Sequence, residues 1–169
     1  MTQSPAKKVS QVALLATLAL IFSYVEMLIP YSVGIPGIKL GIANIVVLIA
    51  LYTYDFKTAF SVNIIRILMA GLLFNGFFGA IYALSGGILS LLVMYLLKKT
   101  DKFSIVGVSM CGAVFHNLGQ LTVAAMIVQS PKLFLYFPVL LFSGIITGIL
   151  MGIICHTIYS HIPSRYLTR

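Results

Sequence analysis

Side chains able to grip a ligand are few in this sequence, and they stand singly inside long apolar runs. Arg66 sits in Asn63-Ile64-Ile65-Arg66. His116, Asn117 and Gln120 share the stretch Phe115-His116-Asn117-Leu118-Gly119-Gln120, and Glu26, Lys39 and Asn44 lie nearer the start of the chain. A guanidinium is a permanent cation whose fork of donors suits a carboxylate or phosphate. A lone arginine in the middle of an apolar run costs at least ~2.5 kcal/mol to place in a membrane, so it has a duty there. It serves either as an anion receptor inside a cavity or as a structural partner for carbonyls or another helix's acid. On a helix, His116 and Gln120 are i,i+4 neighbours and Asn117 lies ~100° away, so all three share one arc. Such an arc lines a ligand cavity or hydrogen-bonds neighbouring helices together. Lys39 comes just before a short apolar segment, where a cation beside a helix N-terminus favours an anion. Glu26 lies four residues before Pro30. Helical side chains lean toward the N-terminus, which aims Glu26 inward and Arg66 away from it. A direct Glu26–Arg66 ion pair is therefore disfavoured, and Glu26 reads as a cavity-wall or loop-anchoring residue.

These residue types hold molecules rather than transform them. The only acids are Glu26, Asp55 and Asp101, so neither a multi-carboxylate metal site nor an Asp-rich magnesium motif for prenyl transfer exists. His116 has no carboxylate or cysteine at ligand spacing, which argues against a metal, and no serine or cysteine pairs with it as a nucleophile. Cys111 and Cys155 lie in apolar runs and read as small buried hydrophobes. No phosphate-binding glycine loop is present. The expectation is a protein that is not an enzyme and has no cofactor of its own.

The elements that must position these residues follow from composition. The chain has 169 residues, 60% hydrophobic and only 8% charged, with mean hydropathy +1.09. Soluble domains carry ~25% charged residues, so this is an integral membrane protein. Six segments approach the ~20 residues that cross a bilayer core, at about 9–29, 40–54, 58–74, 79–97, 103–129 and 133–159. Unpaired amides are not tolerated in hydrocarbon, so the segments are helices. The expected fold is an all-α integral membrane protein with six transmembrane helices in a single domain, 1–169. The first segment follows Lys7 and Lys8 like a signal peptide, but Glu26-Met27-Leu28-Ile29-Pro30 is no cleavage site, and it reads as a retained helix.

Orientation follows from the loops. Lys7, Lys8, Lys57, Lys98, Lys99, Lys102, Arg165 and Arg169 fall on one side, against Lys39 and Lys132 on the other. Both termini are therefore expected in the cytoplasm. The net charge of +8 is accounted for by topology, without nucleic-acid binding. In the sixth segment Gly144, Gly148 and Gly152 recur every fourth residue and form a close-packing face. That face receives a helix of this chain or a partner membrane protein. Ala13, Ala16, Thr17 and Ala19 make a second small-residue surface in the first segment.

Two stretches carry a resemblance: Ile35-Pro36-Gly37-Ile38-Lys39-Leu40-Gly41-Ile42-Ala43-Asn44, and Phe115 through Gln120. With them the whole chain resembles the Gx transporter family, also described as heptaprenyl diphosphate synthase component I. That family is in turn similar to the S components of energy-coupling factor transporters. These are six-helix proteins that capture vitamins or other micronutrients on the outer side and rely on a membrane scaffold subunit and two ATPases. The alanine-x-x-x-alanine face that S components turn to the scaffold has its nearest match here at Ala13 and Thr17.

The resemblance implies a substrate-binding or transport subunit of a bacterial plasma membrane. It would take a small organic or anionic molecule, such as a cofactor, vitamin or isoprenoid precursor, and would have a membrane partner subunit. The residues read above as able to hold it are Glu26, Lys39, Asn44, Arg66, His116, Asn117 and Gln120, within walls that include Tyr24, Tyr31 and Phe78. The rival reading is a non-catalytic membrane subunit passing electrons from quinone to an extracellular flavoprotein, with His116 donating to a quinone oxygen. An accessory role in prenyl diphosphate or quinone biosynthesis is a further alternative. The loop charges give a direct test of topology. A cysteine at Lys99 should react with an impermeant reagent only from the cytoplasm, and one at Lys132 only from outside. Labelling of both from one side contradicts the six-span count.

Overall fold

The computed structural model describes residues 5–29 and 40–163. Among them the regular structure is helical: α1 (Pro5–Leu28), α2 (Ile42–Thr53), α3 (Phe56–Ala70), α4 (Gly76–Lys99), α5 (Ile105–Val128) and α6 (Phe137–Ser160). A π turn, Gly71–Asn75, ends α3, and a 3-10 turn, Pro131–Tyr136, leads into α6. Four stretches are long and apolar enough to cross a membrane: Ala6–Leu28, Phe56–Lys99, Ile105–Val128 and Pro131–Ser160. This is a multi-pass, all-helical membrane protein.

The 44-residue stretch Phe56–Lys99 is not one straight rod. Gly76 has φ +70°, a left-handed conformation that glycine adopts without a Cβ penalty, and the chain turns there. Beyond the turn, Ala80 lies so close to Gly71 that a Cβ on Gly71 would sit 2.6 Å from the Ala80 methyl. Nine residues along a continuous helix would separate them by ~13.5 Å. The two arms are thus packed side by side.

Helix starts follow from local chemistry. Asp55 caps α3, its Oδ1 accepting the Thr58 N–H at 2.7 Å while Oδ2 pairs with Lys8 at 3.2 Å. Partial burial works against the Asp55 charge, but the Thr58 hydrogen bonds and Lys8 outweigh it and hold the carboxyl below its ordinary value. Ser104 caps α5 by accepting the Gly107 N–H at 3.1 Å.

α2 is the odd element. Its 12 residues reach only ~18 Å, short of the ~30 Å core, and it is apolar on every side. Ile45, Val46, Val47, Leu48, Ala50 and Leu51 are all buried, and α1, α3 and α6 enclose them. A helix that is hydrophobic all round belongs inside a bundle, and α2 forms the centre of the core.

Consecutive helices α4, α5 and α6 pack by glycine. A Cβ on Gly144 would meet the Val114 backbone at 3.2 Å, one on Gly148 the Met110 Cα at 2.6 Å, and one on Gly152 the Val106 Cα at 2.8 Å. The four-residue glycine ladder of α6 therefore lies on α5 of this same chain. α5 meets α4 in the same way, Gly119 lying on the backbone of Ser85 and Gly86. The opposite face of α6 turns Phe142, Ile146 and Leu150 outward, 50–66% exposed, as a lipid-facing surface requires.

Gly148→Ala should lower stability by ~1–3 kcal/mol, because backbone rather than a flexible side chain blocks the new methyl. Thermal unfolding of the purified variant in detergent checks this. An unchanged midpoint would mean that the α5–α6 contact is looser than described.

Candidate functional site

Arg66 is 8% exposed and lies on the inner face of α3. Its Nε and Nη2 donate to Asn63 Oδ1 at 3.2 and 2.9 Å, and Nη2 also donates to Asn44 Oδ1 at 2.8 Å. Asn63 stands one turn before Arg66, the i,i+3 spacing at which helical side chains meet. Asn44 reaches it from the first turn of α2. Arginine is a donor only, so each amide must present its oxygen. That fixes the Asn63 orientation and leaves its Nδ2, fully buried, without a partner among the described residues. The amide is held there by Gly87 of α4: a Cβ on that glycine would lie 2.9 Å from Nδ2.

Glu26 reaches the same turn of α2 from α1. Its Oε1 accepts the Gly41 N–H at 2.6 Å. Gly41, at φ +78°, is the residue before α2 and has no side chain with which to cap it. The carboxylate of another helix supplies the cap, with the sign that a helix N-terminus favours. Glu26 and Arg66 do not pair directly; the ion pair formed within 4.0 Å among the described residues is Lys8–Asp55. Amide oxygens orient a guanidinium but do not neutralise it. Arg66 Nη1 has no hydrogen-bond partner among the described residues.

The polar residues of α5 are divided between two neighbours. His116 and Gln120 lie on α4: a Cβ on Gly86 would come 2.6 Å from the His116 carbonyl and 2.8 Å from Gln120 Cγ. Asn117 faces α6, donating from Nδ2 to the Leu140 carbonyl at 2.8 Å. The ~100° between successive residues is enough to give them different neighbours, so the arc is not one surface. Gly86 and Gly87 separate the two polar groups across α4, with His116 and Gln120 on one flank and Asn63 on the other. Lys39 and Tyr31 lie outside the described residues.

Glu26, Asn44 and Arg66 are therefore brought together at the start of α2. Asn63 is the member that sequence reasoning misses; its signal is its spacing from Arg66. Among the described residues no three His, Cys, Asp or Glu side chains converge as a metal site would require. An apolar groove of ≈ 630 Å³ opens between α1 and α3, lined by Val12, Ala13, Ala16, Thr17 and Ile65 among others. It includes none of these polar residues.

Gly87→Ala should displace Asn63 and Ile67, whose Cδ1 would be 2.8 Å from the new Cβ, and so loosen Arg66. A loss of ~1–3 kcal/mol is expected. Gly107→Ala, whose Cβ meets nothing nearer than 3.6 Å, should be nearly neutral. Thermal unfolding of the two variants side by side checks the contrast, and equal midpoints would contradict it.

No curated protein and no solved structure matches the chain significantly. A family model does match, over residues 15–158, which takes in Glu26, Asn44, Asn63 and Arg66. On that match the chain belongs to the family described as heptaprenyl diphosphate synthase component I.

Proposed function

We propose that this chain is the ligand-binding membrane subunit of a multi-component system, and that it takes up a small organic molecule carrying an acidic group. The observation that carries this is Arg66: a buried cation, oriented by two neutral amides, with no carboxylate in contact and no partner for Nη1 among the described residues. A charge in an apolar bundle is costly, and those found there mark ligand or ion sites. The positive end of α2 adds to the same field.

The proposed topology is six helices with both termini in the cytoplasm of a bacterial plasma membrane, as in S components. α2 is then a partial span held inside the bundle. The word "component" in the family description fits a non-catalytic subunit that depends on partners. The chain has neither the acids for magnesium-dependent prenyl transfer nor a loop for ATP. A transport partner would have to supply the energy. The quinone reading would place its ligand at His116, which is packed against Gly86 in the α4–α5 seam. That placement favours Arg66 as the anchor.

Arg66 also has a structural duty, which alters the expected behaviour of its variants. A residue serving a ligand alone could be replaced without harm to folding. Here Arg66→Met strands the Asn63 and Asn44 oxygens and should cost ~1–3 kcal/mol. The decisive quantity is the small molecule retained per folded protein, measured by mass spectrometry of purified samples. Arg66→Met should lose the compound that wild type carries, while Arg66→Lys, which keeps the cation, should hold part of it. Retention by Arg66→Met equal to wild type would reduce Arg66 to a packing residue.

A further inference from the structure

Two opposite charges are tied to one turn of α2 without touching each other. Glu26 is pinned to the Gly41 N–H, and Arg66 is pinned to Asn44, three residues on and ~4.5 Å further along the helix axis. Both are anchored at the start of α2, so each lies in the other's field. No nitrogen–oxygen contact within 4.0 Å joins them. Opposite charges in an apolar surround attract strongly and close to contact unless something holds them apart. Here the holders are explicit. Glu26 caps a glycine that cannot cap α2 itself, and Arg66 is bound by two amide oxygens, one of them on a residue only 1% exposed. α2 is packed on all sides and gives both charges a rigid base.

Arg66 Nη1 and Glu26 Oε2 have no hydrogen-bond partner among the described residues. The two side chains already sum to zero charge. A monoanion on Arg66 would leave the cluster net negative inside an apolar bundle, and a lone cation on Glu26 would leave it net positive. A molecule carrying both charges keeps the total at zero and gives both atoms a partner.

We propose that Arg66 and Glu26 together seat a small zwitterion, its acidic group on Arg66 Nη1 and its ammonium on Glu26 Oε2. This rests on the reading of Arg66 as a ligand anchor and adds the second pole.

The test is equilibrium binding to the full chain in detergent, with 4-aminobutyrate and 6-aminohexanoate against butyrate, hexanoate, butylamine and hexylamine. At least one amino acid should bind about tenfold or more tighter than both the acid and the amine of the same length, as for a charge-assisted hydrogen bond. Glu26→Gln keeps an oxygen for the Gly41 N–H but loses the charge. It should bring the amino acid's affinity down to that of the acid. Acid and amino acid binding equally well to wild type would overturn the proposal, as would Glu26→Gln leaving their ratio unchanged. If Arg66→Met still abolished acid binding in either case, the anion anchor would stand and only the second pole would fall. No binding by any of the six compounds overturns the zwitterion proposal, and retention of the co-purified compound then decides the Arg66 reading separately.

Discussion

The bundle is organised around a short helix that is clamped by charge at both ends. α2 cannot span the membrane and has no polar side to show to water, so its unpaired terminal groups must be met inside the protein. Glu26 meets the N-terminal end at Gly41. Lys98 meets the other end, donating to the Leu51 carbonyl at 2.7 Å with its ammonium 5.0 Å over the Tyr52 ring. A carboxylate at the N-terminus and an ammonium at the C-terminus are the signs that the helix dipole favours. Between these ends α2 is an apolar plug that the other helices pack against. Arg66 is held in this interior by Asn63 of its own helix and by Asn44, which stands in the first turn of that fixed helix.

Packing differs across the molecule. α4, α5 and α6 meet backbone to backbone through Gly86, Gly119, Gly144, Gly148 and Gly152, while Gly112 lies against the Met94 and Ser90 side chains, and a methyl at any of these would press on a neighbour. In a membrane, where apolar side chains gain little by leaving lipid, such close contact is a main source of helix association. α1 has no comparable seam. It buries Ala16 and Ala19 and leaves Leu14, Leu18 and Ile21 facing outward. Arg66 and its amides lie where the two regimes meet, with Asn63 against Gly87 at the edge of the glycine-packed half.

Much of the fold was legible in the sequence because membrane helices are long, apolar and bounded by charge or turn residues. The expected segment 103–129 became Ile105–Val128, and 79–97 became Gly76–Lys99. The glycine ladder was legible because a four-residue repeat of the smallest residue has one use on a helix face. The segment at 40–54 is visibly short in the sequence, but its enclosure by α1, α3 and α6 is not visible there, since a buried helix and a lipid-facing one are equally apolar. The candidate site was legible as residue types and only partly as an arrangement. Glu26, Asn44 and Arg66 converge as polar residues in apolar runs tend to. His116, Asn117 and Gln120 divide between α4 and α6 because helical phase shows which residues are near each other, not which neighbour each one meets. Asn63 was hidden because an asparagine beside an arginine looks like ordinary polarity until the guanidinium is seen to need an oxygen.

The two charge carriers are therefore held by unlike means. Arg66 rests on α3, with Val62 and Ile67 buried beside it and two amides on its guanidinium, so packing and hydrogen bonds both fix it. Glu26 rides near the end of α1, flanked by exposed Val25 and Met27, and its described tether is the Gly41 hydrogen bond. Among the described residues, that end of α1 is held by this contact and by the Tyr24 ring against Phe74, centroids 5.8 Å apart. A change that weakens the Glu26–Gly41 bond acts first on α1 and on the cap of α2, and it reaches Arg66 through α2 and through the field between the two charges.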